Sequence, residues 1–78
     1  MDNNNLKIGE LSRITGERHS TVQYYTEIGI LPYKQEGKRF ARRYNLTEAS
    51  KRLKEIKKLK EKRLKIDEII EHFKRKTN

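Results

Sequence analysis

The sequence contains no cysteine and no tryptophan, only one proline, and no long hydrophobic run. The absence of cysteine excludes disulfides and thiolate metal sites. Its two histidines are far apart, so we expect neither a metal site nor a cofactor. The apolar segments are short and broken by charge, which argues against a membrane span. The polar residues 2–5 have no apolar stretch behind them, so we expect no signal peptide and a cytoplasmic protein.

Acidic residues are scarce relative to basic ones. The chain has 20 Lys and Arg against 11 Asp and Glu, a formal net charge of +9 on 78 residues. A chain this short forms at most one domain with a small core, and it has no room for a deep catalytic pocket. Such a charge is typical of a polyanion-binding protein, although a charged surface also serves solubility. With no P-loop and no plausible carboxylate pair, we do not expect an enzyme.

Two short helices joined by a glycine turn are predicted over about residues 8–16 and 19–28. Gly16 suits the left-handed cap that ends a helix, and Gly29 closes the second one. This arrangement has the size of a helix-turn-helix. The apolar faces repeat at helical spacing and consist of Ile8, Leu11 and Ile14, then Val22, Tyr25 and Ile28.

The segment from residue 33 to 44 is strongly basic and predicts a two-stranded wing. Glu36, Gly37 and Lys38 suit a hairpin tip, because Gly37 can adopt a positive φ. Aromatic residues in the segment favour short strands, although we expect Tyr44 to pack beneath the wing. Since alternate residues of a strand point to opposite faces, its arginines are expected to divide between the two faces.

Two more helices are predicted after Asn45, which forms a possible capping box with Glu48. A break is expected around residues 62–65. The apolar stripes are Ala49, Leu53, Ile56 and Leu59, then Ile66, Ile69, Ile70 and Phe73. The sequence thus predicts a mainly α fold, a winged helix-turn-helix followed by two helices. We expect a disordered start over residues 1–5, one domain over 6–74 and a basic tail over 75–78.

Four short motifs, in this order and spacing, resemble the winged-helix DNA-binding domain of the MerR family. They are Ile-Gly-Glu-Leu at 8–11, Thr-Val-Gln-Tyr-Tyr at 21–25, Gly-Ile-Leu-Pro at 29–32 and Arg-Arg-Tyr at 42–44. Three residues depart from the family pattern: Gln23 replaces an arginine, Arg18 a serine or threonine, and Arg63 a glycine. The resemblance covers a short form, without the family's dimerisation helix and effector-binding region, and implies no sensing of metals or drugs.

The second helix is expected in the DNA major groove, with the wing on the phosphates. Gln23 suits an adenine edge, or alternatively caps its own helix at Ser20. The resemblance implies that Tyr24 meets the phosphate backbone and that Arg42 is the wing arginine. The alternatives are a Tyr24 ring packed on the wing and a surface ion pair of Arg42 with Glu36 or Glu48. The candidate DNA-binding residues are Arg18, His19, Ser20, Gln23, Tyr24, Lys38, Arg39, Arg42, Arg43, Lys62 and Lys65.

The preferred function is therefore sequence-specific binding of double-stranded DNA in transcription, by a protein associated with the nucleoid. One alternative is an excisionase-like factor that bends DNA for recombination. The expected partners are DNA and then copies of the same chain on adjacent sites, RNA polymerase or a recombinase, with no membrane and no small-molecule ligand. A protein-interaction module that docks through the apolar face of the fourth helix is a further alternative, but that face is better explained as core.

Overall fold

A computed structural model describes residues 5–76, without the side chain of Lys76. Four α-helices follow one another in this range: α1 (Ile8–Thr15), α2 (His19–Glu27), α3 (Leu46–Glu61) and α4 (Ile66–Lys76). The predicted mainly α fold is confirmed. The sequence predicts disorder over residues 1–5. Residues 1–4 lie outside the described part of the chain, and Asn5 is described and exposed.

A left-handed glycine ends α1, as the sequence predicts. Gly16 has φ 78°, and its N–H donates to the carbonyl of Ser12 at 2.9 Å. The next helix begins after Arg18, whose side chain forms no capping hydrogen bond. Gly29, with φ 85°, follows the end of that helix and turns the chain toward the core.

The core lies where α3 and α4 pack against the helix-turn-helix. The stripe predicted in α3 is fully buried, and Ile69 and Phe73 of α4 are buried beside it. These two residues form core rather than a docking face. The remaining core residues are Leu6, Leu11, Val22, Tyr25, Ile30, Leu31 and Tyr44.

One predicted core residue is wrong. The side chain of Ile14 is 53% exposed, because it lies one turn beyond Leu11, where α1 meets the polar side of α3. There it lines a shallow hollow with Ser50 and Lys54. The short α1 therefore buries one residue, Leu11, fully.

The first and last helices begin with the same local sequence, Leu-Lys-Ile-X-Glu, at 6–10 and 64–68. In each, the glutamate accepts a hydrogen bond from the lysine N–H three residues earlier. The distances are 3.0 Å from Lys7 N to Glu10 Oε1 and 2.9 Å from Lys65 N to Glu68 Oε1. Both helix starts are thus fixed by their own side chains, which satisfy a backbone N–H and place an acid at the positive end of the helix.

The corner between α3 and α4 forms without glycine. Arg63 has φ 65°, in the left-handed region that favours glycine, and the N–H of Leu64 returns to the carbonyl of Leu59 at 3.2 Å. The last helix continues to Lys76, so Arg75 and Lys76 of the predicted basic tail are helical. Residues 77–78 of that tail lie outside the described part of the chain.

The prediction of a two-stranded wing is wrong, because the described residues contain no strand. Residues 33–44, the wing loop hereafter, are joined at their base by a single antiparallel bridge between Lys34 and Arg43. The next residue, Tyr44, pairs with Leu6 instead. Because N–H and C=O groups of adjacent residues point to opposite sides, Arg43 and Tyr44 each bond a different neighbour, and neither pairing extends into a ladder.

The tip of the wing loop also differs from the prediction. Gly37 is not among the positive-φ residues of the described chain. The turn instead spans residues 37–40, closed by a 3.0 Å hydrogen bond from Phe40 N to Gly37 O. Gln35 Nε2 then donates to the carbonyl of Phe40 at 2.9 Å. The observed turn therefore begins at Gly37, whereas the predicted tip was centred on it.

Candidate nucleic-acid interface

The outward side of α2 is a polar ridge formed by Ser20, Gln23, Tyr24 and Glu27, all exposed. Its inward side holds the buried residues Val22, Tyr25 and Thr26. Gln23 Nε2 donates to Glu27 Oε1 at 3.2 Å. Capping by Gln23 at Ser20 is wrong, because Ser20 lies within the helix and the Gln23 amide bonds Glu27 instead. The Tyr24 ring is 47% exposed and lies 5.9 Å from that of Tyr25.

The start of α2 is electrostatically open. Of the four helices, α2 alone has no acidic residue in its first turn. It also lacks a side-chain cap, and Arg18 and His19 stand at its first positions. A helix N-terminus presents free N–H groups and a partial positive charge, so two basic residues here favour a bound anion such as a phosphate.

A recess of about 330 Å³ joins α2 to the wing loop. His19 and Gln23 line it from the helix, and Ala41 and Arg42 line it from the loop. Lys7 borders the same recess from the residue before α1. The fold therefore brings three candidate residues, His19, Gln23 and Arg42, to one surface, and it adds Lys7. Sequence reasoning missed Lys7, although a lysine directly before a helix was a signal for it.

Arg42 is positioned by an aromatic ring rather than by a carboxylate. Its guanidinium carbon lies 5.2 Å from the centre of the Tyr33 ring, a distance at which the positive charge interacts with the ring face. Within residues 5–76 no ion pair forms between Arg42 and Glu36 or Glu48, the alternative partners considered above. Among the described residues, the recorded contact of the Arg42 guanidinium is thus with an aromatic ring and not with a carboxylate.

Arg43 lies on the other face of the wing loop. It borders a hollow of about 410 Å³ together with Lys34, Glu36 and Phe40. This separation from Arg42 follows from the alternation of neighbouring residues in extended backbone. Lys38 and Arg39 occupy the exposed tip between the two faces.

The opposite flank of α2 is covered by the end of α3. Lys60 Nζ donates to Tyr25 Oη at 3.1 Å and lies 5.8 Å from the centre of that ring. Lys62 and Lys65, both exposed, follow at the corner into α4. The interface thus has cations on either side of α2: Arg42 beside one flank and the end of α3 beside the other.

One of the basic residues in α3 has a structural role that sequence reasoning missed. Arg52 Nη1 donates to the carbonyl of Ile30 at 2.8 Å, and its guanidinium carbon lies 4.2 Å above the Phe73 ring. Arg52 therefore joins the segment after α2 to α4, and it is partly buried between them. Its spacing within a run of lysines gave no signal of this role.

The described residues contain no cluster of three His, Asp or Glu placed to hold a metal ion. None of the helices among residues 5–76 has both the length and the hydrophobicity needed to cross a bilayer. The site consists of cations, hydroxyls and amides around an exposed helix. Such groups can bind phosphates and base edges.

Comparison with known proteins gives one finding. The family model described as MerR HTH family regulatory protein matches residues 6–76. No curated protein and no solved structure matches the chain.

Proposed function

Because the chain belongs to the MerR HTH family, and with it to the DNA-binding regulators of transcription, we propose that it binds double-stranded DNA sequence-specifically through α2. In this proposal α2 lies in the major groove, which admits an α-helix. The wing loop binds the phosphates beside it. The supporting observation is the position of Arg42, which shares one recess with His19 and Gln23 at the open start of α2 and pairs with no carboxylate among residues 5–76.

Each group of the interface has a distinct proposed role. Arg18 and the N–H groups at the start of α2 bind one phosphate, and Arg42 binds another. Gln23, once it leaves Glu27, reaches a base edge, where an amide pairs with adenine through two hydrogen bonds. Phosphate contacts fix the orientation of the protein, and base contacts select the sequence.

A second phosphate anchor is proposed on the other flank, at Lys62 and Lys65. The bond between Lys60 and Tyr25 holds the end of α3 beside α2, and the exposed Lys62 and Lys65 follow directly along the chain. Two anchors on opposite sides of α2 would fix its angle in the groove.

A salt titration tests the interface as a whole. If about five to seven phosphates are bound, the logarithm of the affinity falls against the logarithm of salt concentration with a slope of roughly −5 to −6. Binding is measured by fluorescence anisotropy on a mixed-sequence duplex from 50 to 300 mM salt. A slope near zero contradicts DNA binding through phosphates.

The variant Arg42→Ala tests the proposed wing anchor. It should weaken binding to all sequences alike and make the slope less steep by about 1, as expected for one lost phosphate contact. Arg75→Ala is the matched control. It removes the same charge from the outer face of α4, where the Arg75 side chain is 82% exposed and 3.8 Å from Glu71. Equal losses in the two variants would contradict a specific contact at Arg42.

Footprinting on genomic fragments tests the regulatory part of the proposal. Protection within promoters is expected. Tandem protected sites beside a recombination attachment site would instead indicate the excisionase-like function, which the same interface would serve.

A further inference from the structure

Phe40 is more exposed than the other large apolar side chains of residues 5–76, at 59%, yet its position is fixed. Its N–H and carbonyl are both hydrogen-bonded, to Gly37 and Gln35. The ring also packs on Gly37, since a Cβ at that position would lie 3.3 Å from Phe40 Cδ2. An apolar ring is therefore held in solvent at the tip of the wing loop.

The surroundings of this ring are cationic on both faces of the loop. Arg42 lies on the face toward α2. Lys34 and Arg43 lie on the other face, with one acid, Glu36, in the hollow that Phe40 itself borders. Lys38 and Arg39 precede the ring in the same turn. An apolar group with an excess of cations around it suits a narrow groove with phosphates along both walls.

Resting on the DNA binding proposed above, we infer that the wing loop enters the minor groove and that Phe40 is an apolar wedge between base pairs. Paired chain segments lie about 5 Å apart before side chains are counted, and the minor groove of B-form DNA is about 6 Å wide. The loop therefore fits only in a widened groove. A wedge that partly unstacks one base step opens the groove in this way and kinks the duplex away from the protein.

The wedge also gives a source of sequence preference without hydrogen bonds. Pyrimidine–purine steps unstack and kink most easily, so the protein should favour one at the position that Phe40 reaches. This step lies beside the base pairs facing α2. The structure thus assigns Phe40 a role in specificity that is separate from that of Gln23.

The experiment uses the full chain and a duplex that the wild-type protein selects from a pool with a randomised centre. The duplex carries a donor and an acceptor dye at its ends, which report bending. 2-Aminopurine at steps beside the base pairs that face α2 brightens when a base unstacks. The variants are Phe40→Ala and Phe40→Lys, and Ile14→Ala is the control, because Ile14 is a similarly exposed apolar residue on α1. Circular dichroism shows that each variant is folded.

Wild type should bend the duplex by about 20° or more and brighten one 2-aminopurine step. Phe40→Ala should abolish both signals and weaken binding by roughly 5- to 150-fold, the effect of losing one stacked aromatic. Phe40→Lys should also abolish both signals but bind within a few-fold of wild type, because the added cation meets a phosphate. Ile14→Ala should match wild type.

The outcomes separate this inference from the proposed function. If wild type selects no duplex, DNA binding and the wedge fail together. If Phe40→Ala binds and bends like wild type, only the wedge is refuted. If Phe40→Ala loses cooperative binding on tandem sites while the 2-aminopurine signal is unchanged, Phe40 contacts another protein copy and the wedge is again refuted.

Discussion

A buried hydrogen bond joins Thr26 of α2 to Tyr44, the last residue of the wing loop. The effect of removing it on the free energy of unfolding can be predicted. Thr26 Oγ1 and Tyr44 Oη lie 2.8 Å apart, and both residues are buried. The Thr26 hydroxyl has one proton, which it donates to the carbonyl of Val22 at 2.8 Å. Tyr44 is therefore the donor in the shared bond, and Thr26 is its acceptor.

Removing either partner has unequal effects. Tyr44→Phe deletes the donor and leaves Thr26 bonded to Val22, so the free energy of unfolding should fall by about 0.5–1.5 kcal/mol. Thr26→Val keeps the shape but leaves the Tyr44 hydroxyl buried without an acceptor, and the loss should be about 1–3 kcal/mol. The double variant removes both polar groups, so it should be more stable than Thr26→Val alone.

Urea unfolding followed by circular dichroism at 222 nm measures these differences. With a slope of about 1 kcal/mol per molar urea for a small domain, each kcal/mol moves the midpoint by about 1 M. The four proteins form a double-mutant cycle. If the two single losses simply add in the double variant, the hydroxyls are not coupled and the assignment of Tyr44 as donor to Thr26 is refuted.

Three further predictions concern single positions. Arg63→Gly should raise the free energy of unfolding by about 0.5–1 kcal/mol, because glycine adopts the positive φ of this corner without strain; a lower thermal midpoint would contradict this. Arg52→Lys should lower the free energy of unfolding by about 1 kcal/mol in urea, since lysine lacks the planar group that stacks on Phe73. Its control, Lys51→Arg at an exposed neighbour, should have little effect. Glu27→Ala should strengthen binding to all duplexes by roughly two- to tenfold in anisotropy titrations, because it removes a negative charge from the DNA-facing ridge; unchanged binding would place Glu27 away from DNA.

Local pattern predicted those parts of the fold that local chemistry determines. The buried stripe of α3 repeats at helical spacing, and its Asn45 cap bonds the N–H of Glu48 at 2.9 Å. Gly16 ends α1 because it is the residue there that adopts a positive φ without strain. The burial of Tyr25 and Tyr44 was also predicted and is confirmed.

The wing loop was predicted incorrectly because its conformation depends on distant partners. Strand propensity around Tyr44 does not show that its backbone bonds Leu6, which precedes α1. Likewise, the tip follows the side-chain bond from Gln35 to the Phe40 carbonyl, and Gly37 serves to admit a ring rather than to provide a positive φ. Strand or turn propensity is a property of each residue alone, whereas these hydrogen bonds and contacts depend on which two residues come together.

Local pattern predicted part of the candidate interface as well, and contacts between distant residues account for the rest. Alternation predicted that Arg42 and Arg43 point to different faces, but not which of them faces α2. In the structure Arg42 faces α2 and lies 5.2 Å from the centre of the Tyr33 ring, a contact that alternation does not specify. No pattern among the basic residues of α3 distinguishes two of them from the rest, yet Lys60 bonds Tyr25 and Arg52 bonds the carbonyl of Ile30. The DNA-contact roles of all the candidate residues stay predictions.

The narrow base of the wing loop has a consequence for its dynamics. Four backbone hydrogen bonds, from Leu6, Lys34, Arg43 and Tyr44, hold this base, at 2.8–3.0 Å. The bond within the tip turn does not connect the tip to the helices. The backbone of the tip is therefore tied to the helices only through this base, and its exposed amides should exchange with deuterium much sooner than those of α3. If binding to DNA orders the tip further, that ordering costs entropy and offsets part of what the wing loop adds to affinity.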